Sequence, residues 1–497
     1  MATYNLNGPN DGAALSAQVN PRVLWDRAIS LYEEAEDPFM ALEGGSDSVI
    51  QTKTDTAANA GATIKFQVTS EFGDEGKMGD ETFEDEDSYE EMLLGEYELA
   101  VDWWRHGTRW KKRGMEIMGI KQELVSKIPK LLGSWLGGKK SHSLQMTFLH
   151  RTNSTNHFYA GGLGEDGVTM GDTLSYDEIT KGGAILQPLG GTPARIGKDA
   201  NNNPIWGSCV VATNNATFGL KQDPVYRLNL QNGFDRGATN LLFKGGVVNV
   251  DGHMIKEYTP KRGDKEGAVG SPLNPQALLG VAIAAGTTTF DIKGGGNATS
   301  AAKTKKKYMK YFPKYAYPWS PADVLSSTSE VCWDLRALGQ DGATANVFYV
   351  RVTNLPNAAT DPGKWCIYEI SANDGNKLTV SARLGSAASG IRYTTVGAVA
   401  FDSTKHTAVH EAGSLVCLCN NAGVPLGATL FLYKQAAYRG YGSVRNNRVE
   451  DSKEGGFIQE RYIESVFGQC LCEDRVGNKP AVAVIKHAIH YPGIIDA

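Results

Sequence analysis

The sequence contains no run of about eighteen consecutive apolar residues, so it offers no candidate for a membrane-spanning helix. Its first residues, Met1 to Asp11, are polar, with neither a basic start nor an apolar stretch, and do not read as an export signal. The chain is expected to be soluble and to remain unexported. Cysteine is scarce and odd in number, seven in 497 residues, which argues against a disulfide scaffold and for a reducing cytoplasm. The pairs Cys417/Cys419 and Cys470/Cys472 lack the two-residue or longer gap of strong zinc sites. In strands such spacing puts both thiols on one face, and buried structural thiols are expected.

Catalytic signatures are missing too. There is no P-loop and no G-x-S-x-G elbow. Gly162 to Gly167 satisfies G-x-G-x-x-G, but a dinucleotide site needs a helix next, and Val168-Thr169-Met170-Gly171-Asp172 is no helix. Nine histidines are scattered. His406/His410 with Glu411, and His487/His490, do not form the H-E-x-x-H zinc arrangement, and the last two read as half-exposed strand residues. No catalytic, cofactor-binding or metal residue is assigned, and no cofactor is expected.

What the sequence has in excess is glycine, 57 of 497 residues, which implies many turns and long loops. The length suggests roughly three domains. Residues 1–60 read as an arm: Asn20 caps a helix opened by Pro21, with Val23, Leu24, Ala28, Leu31 and Ala35 at helical spacing until Pro38. Gly44 to Ala62 then reads as an extended linker. At Thr63 the period becomes two, with Ile64, Phe66 and Val68 on one face of a strand, and Tyr97 to Trp104 is a second strand candidate. Ile117, Ile120, Leu124, Ile128, Leu131 and Trp135 form the stripe of a long helix that Pro129 should kink or divide. Residues 150 to 255 look irregular and glycine-rich, ending in a β-like run around Phe243 to Ile255. Residues 256–405 carry short strands at Val347–Val352, Trp365–Ile370 and Lys377–Ala382, as a small all-β insertion would. Ala481–Ile489 closes the chain as an apolar strand.

The formal net charge of −5 hides two opposed segments. Glu71 to Glu98 holds thirteen carboxylates against Lys77, a local charge of −12, and reads as a projecting hairpin. Glu75, Asp80, Glu81, Glu84, Asp85, Glu86 and Asp87 are its candidate contact residues. Asp102 to Lys140 holds ten Lys/Arg against three acids, a charge of +7. Its candidates for contact with a neighbouring copy or with DNA are Arg105, Arg109, Lys111, Lys112 and Arg113. The two segments are complementary, whether the acidic loop of one copy covers the basic segment of the next or each chain neutralises itself. A third cluster, Lys303, Lys305, Lys306 and Lys307, lies beside Tyr308, Tyr311 and Phe312. It combines phosphate-neutralising charge with stacking surfaces and is a candidate nucleic-acid or partner contact.

In this order, the elements resemble the major capsid proteins of tailed double-stranded DNA phages, whose fold is named after phage Hong Kong 97. Three pieces carry the resemblance. Gly61-Ala62-Thr63-Ile64-Lys65-Phe66 with Glu75-Gly76-Lys77 is similar to the start of the family's extended loop. Leu241 to Val248 with Gly252-His253-Met254-Ile255 resembles its central domain. Gly442 to Gly456, Gly468 and Ala481 to Ile485 resemble its closing crossing and last strand. The chain looks closest to the N-four-like and crAss-like podophage branch.

The resemblance implies an α+β Hong Kong 97-like fold. It comprises an N-terminal arm (1–60), extended loop (61–112), spine helix and peripheral domain (113–150), axial domain (151–255) and a return to both domains (406–497); residues 256–405 depart from the family's pattern and read as an inserted β-rich domain. It implies a non-enzymatic virion protein that assembles with itself as hexamers and pentamers in the host bacterial cytoplasm. Portal, head accessory or decoration proteins and non-specifically held double-stranded DNA are its implied partners, with no membrane. Two other readings stay open: a β-rich polysaccharide hydrolase, and a virion decoration or tail protein.

Overall fold

Strands dominate the chain, as its many short alternating segments require. The computed structural model describes residues 31–33, 37–59, 61–69, 94–111, 121–152, 156–162, 164, 167–198, 204–232, 252–258, 273–274, 276–284, 289–291, 348–373, 377–383, 404–443, 447–453, 458–472 and 480–491. In chain order the strands are β1 (Glu43–Gly44), β2 (Ile50–Thr54), β3 (Thr63–Thr69), β4 (Leu94–Ala100), β5 (Asp102–Lys111), β6 (His157–Tyr159), β7 (Ala194–Lys198), β8 (Pro204–Thr213), β9 (His253–Tyr258), β10 (Gln276–Leu278) and β11 (Thr289–Asp291). They continue with β12 (Phe348–Thr353), β13 (Trp365–Asn373), β14 (Lys377–Arg383), β15 (Leu415–Cys419), β16 (Leu426–Leu432), β17 (Ala437–Tyr441), β18 (Asn447–Lys453), β19 (Ile458–Leu471) and β20 (Val482–Ala488).

Among the described residues these strands form three sheets and a hairpin. A helix-backed sheet runs β1-β2-β17-β19-β18, with β5 along the other side of the 14-residue β19. A central mixed sheet runs β6-β20-β16-β8-β7, with β9 parallel to the second half of β8. An antiparallel sheet runs β10-β15-β12-β13-β14-β11. Its strand β15 lies beyond the boundary at 405 expected from composition, and it pairs with both β10 and β12. Strands β3 and β4 form the hairpin.

The arm is more deeply built in than its composition suggests. Gly44 to Ala62 was expected to be an extended linker, but β2 pairs in parallel with β17 inside the helix-backed sheet. Phe39, Val49 and Ile50 are buried with the central sheet's core residues. Parallel pairing across nearly 400 residues leaves no local trace, so a short polar stretch hides it. Residues 31–33 are helical, as expected; the rest of the predicted arm helix lies outside the described residues.

The long helix spans Lys121–Arg151 with Pro129 inside it, so proline does not divide it. Ile128 is buried, but Leu131 is 69% exposed, and Leu132 and Leu136 are buried instead. These pack with Tyr441, Ile463 and Phe467. Ile117 and Ile120 lie outside the described residues. Gly137 marks where the arm crosses this helix: a Cβ there would sit 2.3 Å from the Glu33 carbonyl oxygen. Gly137→Ala is therefore expected to push the arm off, costing about 1–3 kcal/mol as overpacking does. Thermal denaturation together with protease access near residue 33 checks this, and an unchanged melting temperature would contradict it.

Tyr97 to Trp104 is two strands rather than one. β4 ends at Ala100 and β5 starts at Asp102, with Val101 buried between them. The chain turns from the hairpin onto β19 there, and Gly468 permits the crossing, since a Cβ would meet the Ala100 oxygen at 2.2 Å. The region from 150 to 255 is more regular than expected. It holds β6, β7, β8 and the helices Tyr176–Leu186, Asn214–Gln222 and Pro224–Asn232, while β9 stands at the end of the expected β-like run, whose residues up to 251 lie outside the described residues. Ser175 caps the first of these, its side chain accepting from Glu178 N at 3.4 Å, with Asp177 and Glu178 favourably placed in the first turn. The expected strands near 347, 365, 377 and 481 are present as β12, β13, β14 and β20.

Candidate functional site

The hairpin β3–β4 is anchored at its base. Ile64 and Phe66 are buried on one face, as the period-two pattern predicts, and Phe66 stacks on Tyr438 at 4.5 Å. Leu99, Val101 and Val466 complete that cluster. On the open face Lys65 bonds Glu96 at 2.7 Å and approaches Glu98 at 3.3 Å. Glu96 and Glu98 thus spend part of their charge within the hairpin, through exposed pairs that contribute little stability. Glu75, Asp80, Glu81, Glu84, Asp85, Glu86 and Asp87 lie outside the described residues.

The basic segment starts on β5, whose whole length pairs with β19. Among the described residues the other edge of β5 pairs with no strand. Arg105 is exposed, reaches Glu464 at 3.1 Å and lies over Trp103 at 4.6 Å. Arg109, two turns of the pleat further along the same face, is also exposed. Lys111 is the last residue of β5; Lys112, Arg113, Lys303, Lys305, Lys306 and Lys307 lie outside the described residues. On the opposite face of β5, Trp104 stacks on Phe467 and His106 on Trp135 of the long helix. The structure therefore presents Arg105 and Arg109 on a strand held from behind by aromatic packing.

Lys140 belongs elsewhere, for it is fully buried rather than part of a basic surface. Its ammonium pairs with Glu33 of the arm and lies over the rings of Tyr441 and Phe467, at 4.7 and 4.9 Å. Burial pulls its pKa below the usual lysine range. Beside it, buried Arg439 of β17 donates through Nη1 to Asp37 at 2.7 Å and to Glu43, and through Nε to Gln469 Oε1 at 3.0 Å. Gln469 Nε2 donates to the Lys140 carbonyl at 2.9 Å, and the Tyr441 hydroxyl to Glu43 at 2.9 Å. Burial raises the Asp37 pKa more than Arg439 lowers it. Three arm carboxylates are thereby locked to one helix cation and one sheet cation. Sequence reasoning missed this network because Asp37 and Arg439 are 402 residues apart.

Most of the cysteines and histidines singled out above are buried. Cys209, Cys366, Cys417 and Cys419 are buried, and burial pushes the Cys209 and Cys417 thiols up to about 12. Cys470 and Cys472 are half-buried. Gly162 and Gly164 adopt positive φ in a turn, and the next helix starts only at Tyr176. His487 corrects the expectation of a half-exposed strand residue: it is fully buried in β20. His406 and His410 are also buried, and His410 Nδ1 contacts Asn354 Oδ1 at 2.9 Å. Among the described residues no group of three His, Cys, Asp or Glu is placed to hold a metal, and no helix is long and apolar enough to cross a membrane.

No protein-family model matches the chain. A stretch of 39 residues is 56% identical to the major capsid protein of Pseudomonas phage KPP25, covering 8% of this chain and 10% of that protein. Among solved structures, the capsid of Ralstonia phage GP4 aligns over 92% of both chains at 12% identity and a TM-score of 0.49. The acid-stable capsid of Helicobacter pylori bacteriophage KHP30 aligns over 91% of both chains at 12% identity, also with a TM-score of 0.49. The Cyanophage Pam1 capsid asymmetric unit aligns over 91% of this chain and 92% of that one, at 9% identity and a TM-score of 0.48.

Proposed function

We propose that this chain is the major capsid protein of a tailed double-stranded DNA phage, a structural protein that assembles with itself into the icosahedral head. The 39-residue stretch at 56% identity to a phage major capsid protein carries this reading. The geometry supports it physically. A shell of identical subunits needs contacts that each copy both gives and receives. The chain has a hairpin whose base is firmly packed and whose sequence beyond the base is strongly acidic. It also has a strand that presents Arg105 and Arg109 with its outer edge unpaired among the described residues.

The finer reading follows from that pairing of charges. The acidic loop of one subunit, through Glu75, Asp80, Glu81, Glu84, Asp85, Glu86 and Asp87, lies on the basic segment of its neighbour, at Arg105, Arg109, Lys111, Lys112 and Arg113. Each exposed ion pair contributes about 0–1 kcal/mol, so the charges set register and respond to salt more than they supply strength. Hexamers and pentamers build the head; portal and decoration proteins dock on it; packaged DNA is held without sequence preference, with Lys303, Lys305, Lys306 and Lys307 a further contact. Within the tailed phages, this reading places the chain in the N-four-like and crAss-like podophage branch.

Electron microscopy of the purified protein tests the main assignment: closed shells are expected, and small particles under every salt and crowding condition would refute it. Reversing Glu84, Asp85, Glu86 and Asp87 to lysine is expected to weaken assembly while leaving the monomer's circular dichroism unchanged. Undiminished assembly would remove that loop from the interface.

A further inference from the structure

The central sheet carries uncovered surface at both ends. At one end, Pro204, Ile205 and Trp206 of β8 are exposed, whereas Ser208 to Thr213 of the same strand are buried. Ile205 and Trp206 are consecutive in a strand, so they point to opposite faces. They are 41% and 48% exposed. One apolar side chain in water is ordinary; two on opposite faces leave this part of the hairpin uncovered on both sides by the described residues. Arg195 of β7 lies directly across from Trp206 and is exposed, so a guanidinium and an indole share one face.

At the other end is a cavity of about 310 Å³, lined by Asp172, Ser175, Glu178, Gln222 and Asp223 among others. Two of its carboxylates are already engaged. Asp172 accepts from Thr169 N and Oγ1, both at 2.8 Å, and Asp223 accepts from Tyr176 N at 2.7 Å and Val225 N at 2.9 Å. Glu178 differs. Its Oε1 takes Lys181 Nζ at 2.7 Å, but its buried Oε2 has no hydrogen-bond partner among the described residues. A desolvated carboxylate oxygen in the wall of an acid-lined cavity favours a cationic donor. Beside the cavity, the helices that meet at Asp223 expose Phe218, Val225 and Leu228.

One chain cannot join these two features. β7 pairs with residues 204–207 of β8 and β16 with residues 209–211, while Thr213 leads into the helix whose Gly219 abuts Thr173. Trp206 to Thr213 alone spans about 23 Å of strand. We propose that the β7–β8 hairpin of one copy seats in the cavity of a second copy, with Arg195 directed at the Asp172 and Glu178 carboxylates and Trp206 against Phe218, Val225 and Leu228. The opposite charges select this occupant, and a knob and socket on opposite ends of one subunit make a head-to-tail contact of the kind that closes rings. The inference rests on the shell-forming reading above.

Cysteine pairs test it in assembled full-length protein. Pro204→Cys with Gln222→Cys, and Pro204→Cys with Leu228→Cys, replace exposed residues, Pro204 lying on the same face as Trp206, and leave the sheet's core untouched. Oxidised glutathione accepts the two electrons when two thiols join. Covalent ladders from dimer to closed ring are expected on non-reducing gels of both double variants, with each single variant remaining monomeric. Arg195→Glu is expected to raise the concentration needed for assembly about tenfold, equivalent to about 1.4 kcal/mol. Shells of both double variants that run as monomers would overturn the knob-and-socket contact alone. Failure of the unmodified protein to form shells would overturn the shell-forming reading, and this contact with it.

Discussion

Arg439→Met is expected to lower the stability of the folded subunit by about 3–5 kcal/mol, the usual cost of stranding buried charge. Arg439 is fully buried and holds two arm carboxylates, Asp37 and Glu43. Without it, Asp37, already raised by desolvation, loses its main compensating charge, and its ionised form is disfavoured further in the folded state. Against a total of about 5–15 kcal/mol for a domain, such a loss releases the arm or unfolds the chain. Urea denaturation and protease cleavage around residues 37–43 measure it. A midpoint equal to that of the unmodified protein would show that the network carries no net stability. Adding Asp37→Asn and Glu43→Gln to Arg439→Met is expected to restore part of the loss, because no charge is then left unpaired.

The second large effect concerns acid. His487 is buried near the end of β20 in the central sheet, its Nε2 2.9 Å from the Thr429 hydroxyl and its Nδ1 3.0 Å from the Ala488 carbonyl oxygen. The carbonyl can only accept, so Nδ1 carries the proton and Nε2 accepts from Thr429. Burial pushes the pKa down to about 4 from 6.5. The folded state therefore keeps His487 neutral while the unfolded state takes up a proton, so this group's contribution is complete above about pH 6.5. It is lost as pH falls towards about 4, where the folded state protonates too, and the loss levels off near 3 kcal/mol. His487→Gln is expected to flatten the stability profile between pH 6.5 and 4 relative to the unmodified chain. Parallel profiles for the two proteins would show that His487 is not the acid-sensitive group.

These two sites show where the sequence is legible and where it is not. Ile64 and Phe66 alternate with Lys65, and that local period was enough to place β3 and its buried face. The antiparallel strands β12, β13 and β14 were similarly readable, since each pairs with a near neighbour in sequence. Leu131 and Leu132 illustrate the limit. Both fit an apolar stripe within one residue, and only the position of Tyr441, Ile463 and Phe467 decides that Leu132 is inside. Lys140 was counted with the surface charges because a lysine next to Lys139 gives no sign that its neighbours are two rings and a glutamate from the arm.

By itself the sequence determined the elements whose partners are close in the chain: the hairpin base, the long helix, the short antiparallel strands, and two adjacent segments of opposite charge. Propensity, alternation and Coulomb charge are local properties, and they need no knowledge of the rest of the fold. The tertiary structure alone decided that β2 enters a sheet beside β17, that Arg439 and Lys140 are buried against the arm, and that His487 is sealed from water. Such outcomes depend on which distant segments exclude solvent around a group. Burial, not residue type, then sets whether a charge is a surface for a partner or a lock within the subunit.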